Sequence, residues 1–161
     1  MIVSNTTPLS CLLKVGAADL LQRLYVTLAI PSEVAAELDQ AGSIHQGWRR
    51  QLSFIRIAEP LAGDPVMALL SAEVDRGEAA AIALARRLNS PLLILDDMAG
   101  RRLAKRLGLT ITGTVGVALA AAERGLIADP FALLDDLRTQ GGLWLSDAFL
   151  ENLRSAWQPP V

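Results

Sequence analysis

The chain has 161 residues, 52% of them apolar and 20% charged, with fifteen Lys and Arg against seventeen Asp and Glu for a formal charge of −2. That balance excludes intrinsic disorder, and the near-neutral charge excludes a global field pulling the protein onto nucleic acid, so such binding needs local patches. A single cysteine and a single histidine exclude an internal disulfide and leave little room for a zinc site or a His-dependent triad.

Met1–Ser4 is a short apolar start that reads as a strand. Thr7 followed by Pro8 signals a helix entry with proline at the first helical position, and Leu9, Leu12 and Leu13 continue at helical spacing. Ala17–Leu24 repeats the helical pattern. Val26–Ile30 is rich in strand formers, and Pro31 opens a helix whose Val34 and Leu38 share a face. Ala41–Trp48, with Gly42, Ser43 and Gly47, reads as a surface loop, and Phe54, Ile55 and Ile57 suggest another strand. Asp64 and Pro65 start a helix to about Val74. Gly77–Asn89 has an alanine-rich body with an acid at its start and arginines at its end, as the helix dipole favours. Pro91–Leu95 is wholly apolar, as expected of the buried middle of a parallel sheet.

Helix, strand and helix follow over Met98–Leu107, Leu109–Thr112 and Val115–Arg124. Asp129 and Pro130 cap a helix to about Arg138, Gly141 and Gly142 break it, and Leu143-Trp144-Leu145 reads as a strand before a helix capped by Ser146. Strands alternating with helices predict an α/β chain whose short connections make the sheet mostly parallel. The pattern is one domain over 1–157 with a tail at 158–161. No stretch reaches the ~18 apolar residues of a membrane span, and MIVSNTTP turns polar too early for a signal peptide. A cytoplasmic location is the expectation.

In such folds ligands sit beyond the carboxyl ends of the strands. Asn5 follows the first strand there, and Asp96 and Asp97 follow PLLIL. Glu78 starts a crossover helix, which begins at the same edge, and Glu37 lies two turns into another. Each has an ordinary structural account: Glu78 as a first-turn acid, Glu37 with Glu33 as an exposed stripe, one of the Asp doublet as a cap. Crowded carboxylates repel one another, and a divalent cation relieves that repulsion; hard oxygen ligands suit Mg²⁺ or Mn²⁺. A metal so held lowers the pKa of a bound water and neutralises phosphate charge, which would give this chain a nucleophile without Cys, Ser–His or zinc.

Several stretches together resemble the PIN-domain superfamily, in particular its VapC-like branch of small prokaryotic proteins, many proposed as toxins: IVSNTTPLSCLLKVG at the start, IPSEVAAEL at 30–38, GEAAAIALA at 77–85 and LLILDDMAGRRLAKRLGLTITGTVGVALAAAERGLI at 92–127. The resemblance implies a three-layer α/β/α sandwich with a mostly parallel central sheet. It further implies an endoribonuclease that cuts single-stranded RNA with Mg²⁺ or Mn²⁺, silenced by a cognate antitoxin protein, and a homodimer. Carried over by motif, Asn5 stands where the first-strand Asp usually is, and Thr7 where a hydroxyl residue supports it. Glu37, Glu78 and Asp97 match the remaining acids as catalytic groups. Together with Asn5 and Asp96 beside Asp97 they form the implied metal ligands. An amide at position 5 coordinates without bringing negative charge, which leaves open a PIN-like RNA- or protein-binding module that has lost turnover. A phosphoacceptor receiver domain fares badly, because its acidic pair should follow the first strand, where SNTT lies.

Arg101, Arg102 and Lys105, with Arg106, lie on the helix after Asp97, placed either to bind phosphate or to form a solvated face. Arg86 and Arg87 are expected at the far edge of the sheet, and Arg49 and Arg50 are weaker candidates. His45 reads as solvated in its glycine-rich loop and Cys11 as core filling; Val115–Ala122 and Leu143-Trp144-Leu145 read as core in preference to faces buried against a second subunit. Aromatics at 4% argue against a base-stacking platform.

Overall fold

A computed structural model describes residues 1–161, the side chain of Ile44 excepted. Chain order is β1 (Ile2–Ser4), α1 (Thr6–Lys14), α2 (Asp19–Leu24), β2 (Leu28–Ile30), α3 (Ser32–Gln40), a 3₁₀ turn (Ser43–His45), α4 (Trp48–Gln51) and β3 (Ile55–Ile57). It continues with α5 (Pro65–Ser71), α6 (Arg76–Arg87), β4 (Leu93–Ile94), α7 (Met98–Arg106), β5 (Ile111–Thr112), α8 (Thr114–Glu123), α9 (Pro130–Thr139) and α10 (Asp147–Ala156).

The five strands pair in parallel in the order β3-β2-β1-β4-β5, with Ile2 opposite Leu28, Val3 opposite Leu93 and Leu93 opposite Ile111. Successive side chains of a strand point to opposite faces. Leu28, Ile30 and Ile94 accordingly enter a core built with α1, α2, α3, α8, α9 and α10, while Val3, Ala29, Leu93 and Leu95 enter a second core under α5, α6 and α7. These are the three layers of an α/β/α sandwich. Ala79–Ala85 is completely buried, so α6 lies on the sheet through small side chains.

The strands are shorter than the apolar runs that predicted them. Val26 is 88% exposed because its neighbour β1 starts only opposite Leu28. The Leu143-Trp144-Leu145 strand does not form: both sheet edges end elsewhere, and the segment is an irregular turn with Leu143 buried and Trp144 exposed. The expected core reading therefore holds for Leu143 and fails for Trp144. At the first helix, Asn5 rather than Thr7 is the cap, its Oδ1 accepting from the Thr7 N–H at 2.8 Å. Pro8 sits at the third helical position, where its missing N–H has no intrahelical partner to lose.

The loop over Ala41–Trp48 is also more ordered than its composition predicts. His45 is not solvated: it is 2% exposed, and its Nε2 lies 2.8 Å from Ser10 Oγ on α1. Trp48 is buried and donates through Nε1 to Asp39 Oδ1 at 2.8 Å. Arg49 stacks on the Trp48 ring and pairs with Asp39, which holds the Asp39 carboxyl below its usual range and leaves Arg49 committed to its own loop. Cys11 is core filling, as expected; burial first, then the charge of Asp96, pushes its thiol up to about 11.

Candidate active site

From β1 the chain moves outward through β2 to β3, then returns across the sheet to β4 and β5. The β1–β4 boundary is thus the topological switch point, where an open parallel sheet leaves a crevice at its carboxyl edge. The Asn5 N–H donates to the Ile94 carbonyl at 3.1 Å, so the segment after β1 and the Asp doublet after β4 begin side by side. Asn5 itself is 4% exposed. Its side-chain oxygen is occupied by the cap of α1.

Glu37 reaches the same region from α3. It is exposed, and it accepts a hydrogen bond from the hydroxyl of Thr6, not from Thr7. Against it packs Gly77 of α6: a Cβ at that position would overlap Glu37 Oε1 and lie 3.0 Å from its Cδ. Only a residue without a side chain lets the two helices approach so closely there. Glu78 comes next, half-buried at the first turn of α6. Its N–H is capped by Asp75 Oδ1 at 2.8 Å. Burial, then the charges of Asp75, Asp97 and Glu37, push its carboxyl from an ordinary 4.5 to about 7. Charges act over distance, so this one shift reports that acids from α3, α6 and the β4–α7 turn share one neighbourhood.

The Asp doublet divides its labour. Asp97 caps α7, with Oδ2 accepting from the Gly100 N–H at 2.7 Å, and otherwise faces solvent. Asp96 anchors α8: Oδ1 accepts from the Thr114 N–H at 2.8 Å and Oδ2 from the Thr114 hydroxyl at 2.6 Å. A Cβ at Gly113 would lie 2.6 Å from Asp96 Oδ1 and 3.1 Å from Arg101 Nη1, so this glycine leaves room for both groups. Arg101 donates through Nη1 to the Leu95 carbonyl at 2.7 Å.

A cleft of about 880 Å³ opens over this edge. Thr7, Glu78, Asp96, Asp97 and Arg101 are among its lining, together with the apolar Trp144, Leu145 and Phe149. Of the residues expected to ligate a metal, Asn5 and Glu37 lie outside this lining, and of those expected to meet RNA, Arg102 and Lys105 are exposed but also outside it. Among the described residues, no three Asp, Glu, His or Cys side chains stand close enough together to enclose a metal ion. The donor set nonetheless suits a hard cation. Mg²⁺ is typically bound through one or two carboxylates, keeps several waters and takes further oxygens from substrate phosphates, and a cation would relieve the repulsion that, after burial, helps to raise Glu78.

The DUF3368 family model, a PIN domain, matches residues 1–159. The chain belongs to the PIN-domain family. No curated protein matches it. As a PIN domain it carries a nuclease-type function in general terms, and the three-layer fold and parallel sheet agree with that membership. No helix of this PIN domain is long and apolar enough to cross a membrane among the described residues.

Three residues of the site escaped sequence reasoning. Thr6 does for Glu37 what was expected of Thr7 for the first acid. Gly77 was legible only as part of a helix start, although a glycine immediately before an acid at the sheet edge is a usable signal. Thr114, completely buried, takes both oxygens of Asp96, and no local pattern marks a hydroxyl 18 residues downstream as its partner.

Proposed function

We propose that this PIN domain is a metal-dependent endoribonuclease that hydrolyses phosphodiester bonds of single-stranded RNA, working as the toxin of a type II pair with a cognate antitoxin protein. The supporting observation is that Glu78 at the start of α6 lies within the field of Asp97 and of Glu37, so that acids from three segments meet at the switch point of the sheet. Glu78 and Asp97 would hold Mg²⁺ or Mn²⁺ from the cleft wall, with Glu37 behind them. When bound, the cation would lower the pKa of a water and neutralise charge on the phosphate. Asp96 keeps the start of α8 in place, and Asn5 caps α1 without adding charge. Arg101, anchored on the Leu95 carbonyl just after β4, offers its remaining donors to phosphate oxygens. In the hydrolysis, a water oxygen joins phosphorus, the ester oxygen leaves, and the water's proton ends on the leaving oxygen. A cytoplasmic location and a homodimer complete the proposal.

The decisive test is Asp97→Asn. Asn caps a helix as well as Asp, so α7 is retained while a charge is lost. Cleavage of single-stranded RNA in Mg²⁺ or Mn²⁺ should collapse in this variant; equal activity would refute the assignment.

The neutral cap at Asn5 favours a second reading, a binding module that has lost turnover. Asn5→Asp keeps the cap, so it isolates the missing charge. Under this second reading the substitution creates or sharply raises Mn²⁺ binding, and no change counts against it.

A further inference from the structure

We propose that Trp144 is the base-stacking residue of the cleft, holding one nucleobase of a single-stranded RNA beside the acids that face its backbone; this rests on the nuclease reading above and specifies how that site grips its substrate. Tryptophan is large and mostly apolar, and folding ordinarily buries most of its surface. Trp144 is 86% exposed, whereas its neighbour Leu143 is only 8% exposed. The exposure is built in, not the result of a loose segment. The Gly141 N–H donates to the Asp136 carbonyl at 3.1 Å, and a Cβ at Gly141 would lie 2.7 Å from the Leu137 carbonyl and 3.2 Å from that of Cys11. Gly142 turns the chain at φ +75°, a conformation side chains resist, and the Leu143 N–H then donates to the Leu137 carbonyl at 3.0 Å. Ser146 caps α10 two residues beyond Trp144, accepting from the Phe149 N–H at 3.1 Å. The indole thus stands on a turn fixed at both ends, its neighbour plugged into the core.

The occupant follows from the rest of the cleft. Trp144 lines the same space as Glu78, Asp97 and Arg101. An apolar segment of a partner protein would bring its backbone across two carboxylates and a guanidinium with nothing to neutralise them. A single RNA strand matches both kinds of lining group: its bases have π-faces for the indole, and its phosphates suit Arg101 and a cation held by the acids. Double-stranded RNA has no free base to offer, so the same geometry selects single strands. The scarcity of aromatics across the chain is no obstacle, because one exposed indole at the right place suffices for one base.

The test compares full-length wild type, Trp144→Ala, Trp144→Leu and Trp144→Phe. Binding of oligouridylate and of an abasic oligomer of equal length is measured in Ca²⁺, and oligouridylate cleavage in Mn²⁺. Trp144→Ala and Trp144→Leu should weaken oligouridylate binding by about 5- to 100-fold, as loss of one stacked base predicts, while Trp144→Phe keeps most of it. The abasic oligomer should bind wild type and variants alike. Full affinity in Trp144→Ala, or in Trp144→Leu, overturns the stacking assignment. So does an unchanged RNA affinity accompanied by a shift in sedimentation, which would assign the face to a second copy of the chain. A stacking-dependent binding with no cleavage in Mn²⁺ overturns the reaction and leaves Trp144 in its role; cleavage indifferent to position 144 does the reverse.

Discussion

Gly77→Ala separates the positioning of Glu37 from the stability of the fold. The added Cβ overlaps Glu37 Oε1 and meets Cδ at 3.0 Å and Oε2 at 3.1 Å. Two terms oppose each other in stability. Alanine in a helix is favoured over glycine by roughly 0.5–1 kcal/mol. Against that, the carboxylate must swing away and give up the Thr6 hydroxyl, a net hydrogen bond of about 0.5–1.5 kcal/mol. Because Glu37 is exposed, its flexible end can move without unpacking the core. The two terms nearly cancel, and for a chain of this size a residual of ~1 kcal/mol shifts the melting temperature by only about 2–4 °C. The site responds differently. Displacing a group that orients or supplements metal ligands costs about 10–100-fold in metal affinity or activity. Calorimetric Mn²⁺ titration, RNA cleavage and thermal unfolding of the same preparation read all three quantities. In a Glu37→Ala background, where nothing remains to be displaced, Gly77→Ala should add no further loss of affinity. Unchanged Mn²⁺ affinity in the single Gly77→Ala variant would refute the placement of Glu37 in the site, and additive losses in the double variant would show that Gly77 acts through something other than Glu37.

Three further outcomes are expected. Glu78 titrates near 7 when folded and near 4.5 when unfolded, so between those values the native state binds the extra proton. Stability should therefore fall as pH rises through that window, and urea unfolding of Glu78→Gln should lose this slope; a slope unchanged by the substitution would mean another group carries it. Thr114→Val deletes the hydroxyl that donates to Asp96 at 2.6 Å inside a fully buried site, and should cost about 1–3 kcal/mol in chemical denaturation, with Thr114→Ser restoring most of it. The buried Cys11 thiol, pushed up to about 11, should resist a thiol reagent at pH 8 in the native protein and react fully in urea; rapid native labelling would contradict its place in the core.

Periodicity and capping chemistry determined most of the architecture. Asp64, Asp129 and Ser146 cap the helices they were expected to cap, and the apolar run ending at Leu95 forms an inner strand of a parallel sheet. These features are local: a cap needs only its own three residues, and a strand buried on both faces announces itself by composition. The acids at the sheet edge were legible for the same reason, since strand ends and helix starts fall on one side of any parallel α/β sheet. What local pattern did not contain is which groups meet once the chain closes. His45 lies in a stretch as glycine-rich as any surface loop, yet it is buried because Ser10 on α1 is there to receive it. Asp96 and Asp97 are indistinguishable neighbours in the sequence. They differ in the fold because α8 starts beneath one and not beneath the other. Leu143 and Trp144 are both apolar, and only the turn at Gly141 and Gly142 decides that one plugs the core and the other faces the cleft. Burial and partnership are properties of a closed surface, set by residues distant in the chain, and so tertiary structure alone assigned them.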